Sequence, residues 1–347
     1  HRRKVLNKFI NISDTAAVDG ADLVSTIDVF VQDLAERSLK KELIKDKAYT
    51  GVAIVMEVET GDIKAMVNLD KDSLGRYYEG RNHAIADLLE PGSVFKTASI
   101  LTAIDDGYIK DTANCIVHTG CGIMEMYGAK MRDHNWHRGG YGDINVSRIL
   151  QVSSNIGVSW LIDKFYGDNP GKFVDGIHRL GLATDLKLPF PEYEAPRVRH
   201  PRKDKTGRHW ANWSKTALPW MSIGYETQVP PISTLTFYNA IANGGKMVRP
   251  RFVSRIEKDG EVIKEFPVQV IKNQICKNPA SIGVIQDILY KVVHVGLGKT
   301  AGSKSFHVSG KTGTAQKAHN GSYKSGTVDY LLSFCGYFPS GKDADGK

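Results

Sequence analysis

The chain is 347 residues long, 41% hydrophobic and 24% charged, ordinary globular proportions with enough length for two domains or one large α/β domain. That excludes a disordered tail, a fibrous repeat and a small disulfide-stapled module. Lys and Arg outnumber Asp and Glu by 46 to 38, a net charge of +8. The densest basic clusters, His1-Arg2-Arg3-Lys4 and residues 197–208, lack the interleaved aromatic side chains of a base-stacking surface, so no nucleic-acid partner is expected.

No stretch approaches the ~18 apolar residues of a membrane span. The chain opens on His1 without a signal peptide, so it reads as a fragment from which any anchor is absent. The cysteines Cys115, Cys121, Cys276 and Cys335 are too few for a disulfide framework. Cys115 and Cys121 are close enough in sequence to bridge a short loop; unpaired small apolar side chains are the simpler reading. His134 and His137 lie three apart with no second pair of ligands, so no metal site is expected.

In chain order, residues 1–22 are polar and read as a linker or the end of an upstream module. A helix follows, with Ser25 as its cap and Asp28 three residues on. Ile27, Val31, Ala35, Leu39 and Leu43 form its apolar stripe, widened by Phe30 and Leu34. Residues 52–58 and 63–68, joined by the turn Glu59-Thr60-Gly61-Asp62, make a β-hairpin. Residues 94–104 are apolar nearly all round and predict a buried helix.

Residues 105–145 are loop-rich, 146–161 are helical on both sides of a break at Ser153-Ser154-Asn155, and 185–215 form an irregular excursion. Residues 232–243 predict a helix stopped by Gly244-Gly245. Residues 252–256 and 261–266 predict a small hairpin, 280–293 a helix, and 306–315 and 330–338 two strands separated by a polar Gly/Ser-rich loop. This order argues for an α+β fold, an antiparallel sheet flanked by helices with a long, mostly helical insertion.

Three short motifs carry chemistry. In Ser93-Val94-Phe95-Lys96, Ser93 opens a helix, where free backbone N–H groups favour developing negative charge. Lys96 lies one turn on, and apolar neighbours lower the pKa of a lysine so that its neutral amine acts as a base. In Ser153-Ser154-Asn155, a tight interhelical turn lets Ser153 and Asn155 face one site, the first as proton relay and the second as an amide that orients a carbonyl. In Lys311-Thr312-Gly313-Thr314, a glycine inside a strand suggests close approach of backbone or ligand. Thr312 and Thr314 share a face suited to a carboxylate, and Lys311 supplies positive charge.

Each motif alone also fits an ordinary reading: an N-cap serine with a surface lysine, a capping cluster, a glycine near a turn. Together, and in this order, they are the signature of serine β-lactamases and penicillin-binding proteins.

The chain resembles the transpeptidase domain of class B penicillin-binding proteins from about Gly20 to Pro339. Thr26-Ile27-Asp28, Thr60-Gly61-Asp62-Ile63-Lys64-Ala65-Met66, Glu90-Pro91-Gly92-Ser93, Ile241-Ala242-Asn243-Gly244-Gly245, Lys311-Thr312-Gly313-Thr314-Ala315-Gln316 and Ser333-Phe334-Cys335-Gly336-Tyr337 carry the likeness. Ser153-Ser154-Asn155-Ile156-Gly157 is similar to the division-specific branch, with the septal enzymes of Bacteroidetes-type bacteria most alike. The loop Asp133-His134-Asn135-Trp136-His137-Arg138-Gly139-Gly140 also has elongation-type features.

The resemblance implies the penicillin-binding/serine β-lactamase-like fold. It also implies a domain spanning 23–347 that stops before the family's last strand and C-terminal helix, after a remnant of the pedestal module in 1–22. It implies peptidoglycan D,D-transpeptidation through an acyl-enzyme on Ser93, with Lys96 as base, Ser153 and Lys311 passing the proton, and Asn155, Thr312, Gly313 and Thr314 binding substrate. The implied partners are stem peptides as donor and acceptor, β-lactams as covalent inhibitors, and a glycosyltransferase with other division proteins. The implied location is the periplasmic face of the inner membrane, and no cofactor is implied. The rivals are a serine β-lactamase, although the deacylating Glu-x-x-Leu-Asn of class A enzymes is absent around Glu192 and Glu194, and a β-lactam sensor of the same fold.

Overall fold

Period-2 burial sets the first sheet: Ile63, Ala65, Val67 and Leu69 point inward while Lys64 and Met66 are less covered. The computed structural model describes residues 2–5, 8–11, 19–207, 210–316 and 329–339. Of the expected linker, residues 1, 6–7 and 12–18 lie outside these residues, and the Gly/Ser-rich loop before the last strand lies almost entirely outside them. The chain divides into two compact units, 1–26 with 252–267, and 27–251 with 268–347.

In the smaller unit the expected hairpin appears as Val253–Lys258 and Glu261–Glu265, and Asp22–Ser25 adds to it as a third antiparallel strand. Ser25 therefore sits in a ladder and does not cap a helix. Arg2–Val5 and Lys8–Asn11 also pair antiparallel.

The larger unit begins with α1 (Val29–Lys45), capped by Asp28, whose carboxylate accepts the Phe30 and Val31 N–H groups. Strands β1 (Thr50–Met56), β2 (Ile63–Lys71) and β3 (Tyr77–Glu79) follow in an antiparallel sheet. The sheet covers only the Ala35, Leu39 and Leu43 stripe of α1. Phe30 and Leu34 do not widen it, being 86% and 60% exposed.

A one-turn 3-10 segment, Gly92–Val94, precedes α2 (Lys96–Asp105), so the helix starts at the lysine rather than at Val94. Phe95, Ala98, Ile100, Leu101 and Ala103 are buried, as an all-round apolar helix requires. Around α2 pack α3 (Val146–Gln151), α4 (Asn155–Tyr166), α5 (Pro170–Arg179), α6 (Pro231–Ala242) and α7 (Ala280–His294) in one core. The sequence reading missed α5; Gly176 lets it lie close on α2, since a Cβ there would stand 2.2 Å from Thr102 Cγ2.

Strands β4 (Ser309–Gln316) and β5 (Tyr330–Tyr337) pair in continuous antiparallel register. The α+β class holds, but among the described residues the ladders are separate antiparallel pieces rather than one sheet. All four cysteines are free.

The C-terminal end of α2 is tied down by a buried carboxylate. Asp105 accepts Arg179 Nε at 3.1 Å and the backbone N–H groups of Lys277 and Asn278 at 3.0 and 2.9 Å. Replacing it strands these donors. Asp105→Ala is expected to lose about 3 kcal/mol, and Asp105→Asn clearly less, as read by urea unfolding at constant slope. Equal stability of all three proteins would sink this account.

Candidate active site

Lys96 is the first residue of α2, and its whole side chain is buried. Its amine donates to the Ser153 carbonyl at 2.7 Å, Ser153 Oγ at 3.2 Å and Asn155 Oδ1 at 2.6 Å. Burial disfavours the ammonium and lowers its pKa to about 7, against the opposing pull of the Asp133 charge. Lys311, on the inward face of β4, is equally buried and donates to Ser153 Oγ and to its neighbour's carbonyl, Thr312 O, both at 2.9 Å. Its pKa falls well below the ordinary lysine value because of burial and the nearby Lys96 charge. One serine hydroxyl thus stands between two desolvated amines.

The turn that delivers Ser153 is strained, with φ at +54°, uncommon for a residue with a side chain. Its neighbours hold it there. Ser154 caps α4 by accepting the Gly157 N–H and donates to Asp133 Oδ2. Asp133 Oδ1 accepts the N–H groups of Asn155 and Ile156. Asn155 Nδ2 donates to Arg132 O at 2.7 Å. Asp133 is fully buried and provides the negative charge that acts on Lys96. The sequence reading noted its loop without assigning it a task. The available signal was an acidic residue beside His134 and Trp136, which says nothing about distant backbone donors.

Ser93 lies half-buried in the turn between Pro91 and α2. Three contacts hold that turn. Tyr238 Oη donates to Val94 O at 2.9 Å, and since its single proton is then used, Thr97 Oγ1 must be the donor in their 2.7 Å contact. The Gly92 N–H donates to Gly224 O. Gly92, at φ +58°, lies so close to β4 that a Cβ would stand 2.9 Å from Ala315 Cβ.

Gly313 faces the same turn, where a Cβ would stand 3.1 Å from Val94 Cγ1, and it also leaves room for the paired strand, where a Cβ would meet Ser333 Oγ at 2.2 Å. Thr312 and Thr314 share the other, more open face of β4. Lys96, Ser153, Asn155 and Lys311 are therefore directly bonded in one cluster, with the Ser93 turn and the threonines beside it.

Asp133→Ala removes the acceptor of two backbone donors and the Ser154 hydroxyl, and the charge that favours the Lys96 ammonium. A loss of about 3 kcal/mol is expected. The Lys96 amine should also titrate below its present pKa of about 7, as followed by NMR of the labelled amine. An unmoved titration would refute the electrostatic link.

A family model described as the penicillin binding protein transpeptidase domain matches residues 51–345. The chain is 28% identical over 332 residues to the probable peptidoglycan D,D-transpeptidase PenA of Neisseria flavescens, covering 93% of this chain and 74% of that protein. It is 27% identical over 314 residues to the peptidoglycan D,D-transpeptidase FtsI of Escherichia coli K12, covering 88% and 48%. It spans about half the length of several curated relatives. Among solved structures it is similar to the apo TP domain of Burkholderia pseudomallei penicillin-binding protein 3, with TM-score 0.71 and 27% identity, covering 91% of this chain and 84% of that one. The chain belongs to the penicillin-binding protein transpeptidase domain family.

Proposed function

We propose that the chain is the catalytic domain of a peptidoglycan D,D-transpeptidase that cross-links stem peptides through an acyl-enzyme on Ser93. The observation that carries this reading is the convergence of the buried Lys96 and Lys311 amines on Ser153 Oγ behind the Ser93 turn. Near neutral pH a large share of Lys96 is unprotonated. It takes the Ser93 proton as Oγ attacks the carbonyl between the two terminal D-alanines. The tetrahedral oxyanion is held by the N–H groups of Ser93 and Thr314. Ser153, with Lys311 behind it, passes a proton to the departing D-alanine.

In this reading Asn155 orients the donor amide, and Thr312 and Thr314, with Gly313 between them, receive the terminal carboxylate. An amine from a second stem peptide then releases the acyl group. β-Lactams enter by the donor's route and leave Ser93 acylated. We further propose that residues 23–347 constitute this domain, that it follows a remnant of a pedestal module, and that it works on the periplasmic face of the inner membrane. There it serves septal synthesis beside a glycosyltransferase and other division proteins. Among the described residues no helix is long and apolar enough to cross a membrane.

Incubation with benzylpenicillin is expected to add one drug mass by intact-mass spectrometry, stable over minutes to hours and absent in Ser93→Ala. Drug destroyed without a lasting adduct would favour a β-lactamase. An intact drug with no adduct would refute acyl-serine chemistry. A stable adduct without cross-linked product from donor and acceptor peptides would favour a sensor.

The acylation rate should fall about tenfold per pH unit below about 7, because protonated Lys96 has no lone pair to offer. Lys96→Arg, which never deprotonates, should lower the rate by roughly 10²–10⁴ at every pH. A flat profile between pH 5 and 8 would remove Lys96 as the base.

A further inference from the structure

The segment that leads into Ser93 begins at a histidine flanked by two carboxylates. His83 opens the short helix His83–Ala86, ten residues before Ser93, and its side chain is largely buried. Its Nε2 lies 3.0 Å from both oxygens of Asp70 on β2, and its Nδ1 lies 2.7 Å from Asp87 Oδ2. Each contact needs an N–H, because an ionised carboxylate only accepts. A neutral imidazole carries one N–H, so it serves one carboxylate and turns a lone pair on the other. The geometry is that of an imidazolium.

Both carboxylates are themselves held. Thr50 Oγ1 donates to Asp70 Oδ1 at 2.9 Å, and Arg81 Nε lies 3.1 Å from Asp87 Oδ1. Strand β1 and helix α6, which pack against the 83–86 helix, carry no charged side chain. On β2, Lys64 pairs with Asp62 and Glu57, and Lys71 lies over the Tyr49 and Tyr77 rings. On β3, Tyr78 stands opposite Asp70, and Glu79 lies on the other face. Glu194, whose N–H donates to Ile85 O, pairs with Arg197. Among the described residues the charges facing the ring are therefore Asp70 and Asp87, with Arg81 behind Asp87. Burial lowers the pKa of the ring, but the bonds and charges of these carboxylates outweigh it and raise it above the ordinary histidine value.

The histidine sits at the first anchor of the path to the nucleophile. Beside it, the Ala84 N–H donates to Asn68 Oδ1 on β2 at 2.9 Å. At the far end, the Val229 N–H donates to Leu89 O, the Glu226 N–H to Glu90 Oε1 and the Gly92 N–H to Gly224 O. Ser93 follows directly, so slack at the first anchor reaches the turn that positions it.

We propose that His83 is a pH-operated clasp. Protonated, it ties residues 83–92 to β2 and keeps the Ser93 turn in place; deprotonated, it turns a lone pair on one carboxylate and slackens the segment, so that acylation falls on the alkaline side. The effect on acylation rests on the proposed Ser93 chemistry, whereas the clasp itself does not. Because its folded pKa exceeds the ordinary one, His83 adds stability in full below about pH 6.5 and loses it as pH rises through the folded value. With Lys96 limiting acylation on the acid side, the profile is a bell.

The test compares the unaltered full chain with His83→Arg, a cation at every pH, His83→Gln, never one, and Asp87→Asn, which removes one carboxylate. Urea unfolding and benzylpenicillin acylation are followed from about pH 6 to about pH 9, and the labelled ring, assigned by its loss in His83→Gln, is titrated by NMR. In the unaltered protein the ring should titrate above the ordinary histidine value. Stability and acylation rate should fall through that same pH, the rate by about threefold. His83→Arg should lose both falls, and Asp87→Asn should move the titration and both falls to lower pH. A ring that titrates at or below the ordinary value, or falls that persist in His83→Arg and His83→Gln, would overturn the clasp. A stability fall with a level acylation rate would overturn its control of Ser93. No penicillin adduct at any pH would overturn the Ser93 reading, while NMR and unfolding still decide the clasp.

Discussion

Two lysine amines buried within reach of one serine hydroxyl is the constraint around which the rest of this structure is arranged. Each ammonium loses its hydration on burial, and the two repel each other. The fold offsets this with one buried carboxylate, Asp133, and with carbonyl acceptors at Ser153 and Thr312. That compensation is incomplete by design of the site, because full neutralisation would restore an ordinary lysine pKa and remove the base. The positive φ at Ser153 belongs to the same compromise: it is the conformation that lets one residue offer both its carbonyl and its hydroxyl to Lys96.

A reactive cluster of this kind is useful only if the nucleophile keeps its place beside it. Here close packing does that work more than side-chain hydrogen bonds. Gly92, Gly224 and Gly313 each stand where a Cβ would collide with backbone or side chain of the facing segment, so the Ser93 turn, the turn at residues 224–228 and β4 meet nearly backbone to backbone. Tyr238 then closes the remaining side through Val94 O. Because close-packed interfaces deform little, the distance from Ser93 to β4 is fixed by glycine geometry.

The pattern of what could be read from sequence follows from the range of the interactions. The three motifs are local, three or four residues each, and sit on a strand, just before a helix start and in an interhelical turn, of which only the turn has a side-chain cap, Ser154. The task of Asp133 was not legible because its partners, the Asn155 and Ile156 N–H groups, are backbone donors more than twenty residues away, and any residue type supplies those. The specific contacts of Tyr225 and Glu90 were not legible for the same reason, since each accepts a backbone N–H from a distant segment. The Ser25 cap failed because a three-residue spacing is satisfied equally by a strand end followed by a helix capped at Asp28. Phe30 and Leu34 continue a helical apolar stripe that the β1–β2 surface is too narrow to cover.

Linkage gives this arrangement a direction in pH. An unfolded Lys96 titrates near the ordinary lysine value of about 10.4, while the folded one titrates near 7. Between those values the unfolded chain binds more protons, so stability rises with pH across the window. Below pH 7 both states are protonated and the fold bears the whole penalty, several kcal/mol at about 1.4 kcal/mol per pKa unit. Above the ordinary lysine value neither state is charged and the penalty vanishes. Near neutral pH the amine is therefore partly deprotonated while most of the penalty still remains. The large core around α2, not the catalytic cluster, must supply the stability that the cluster lacks.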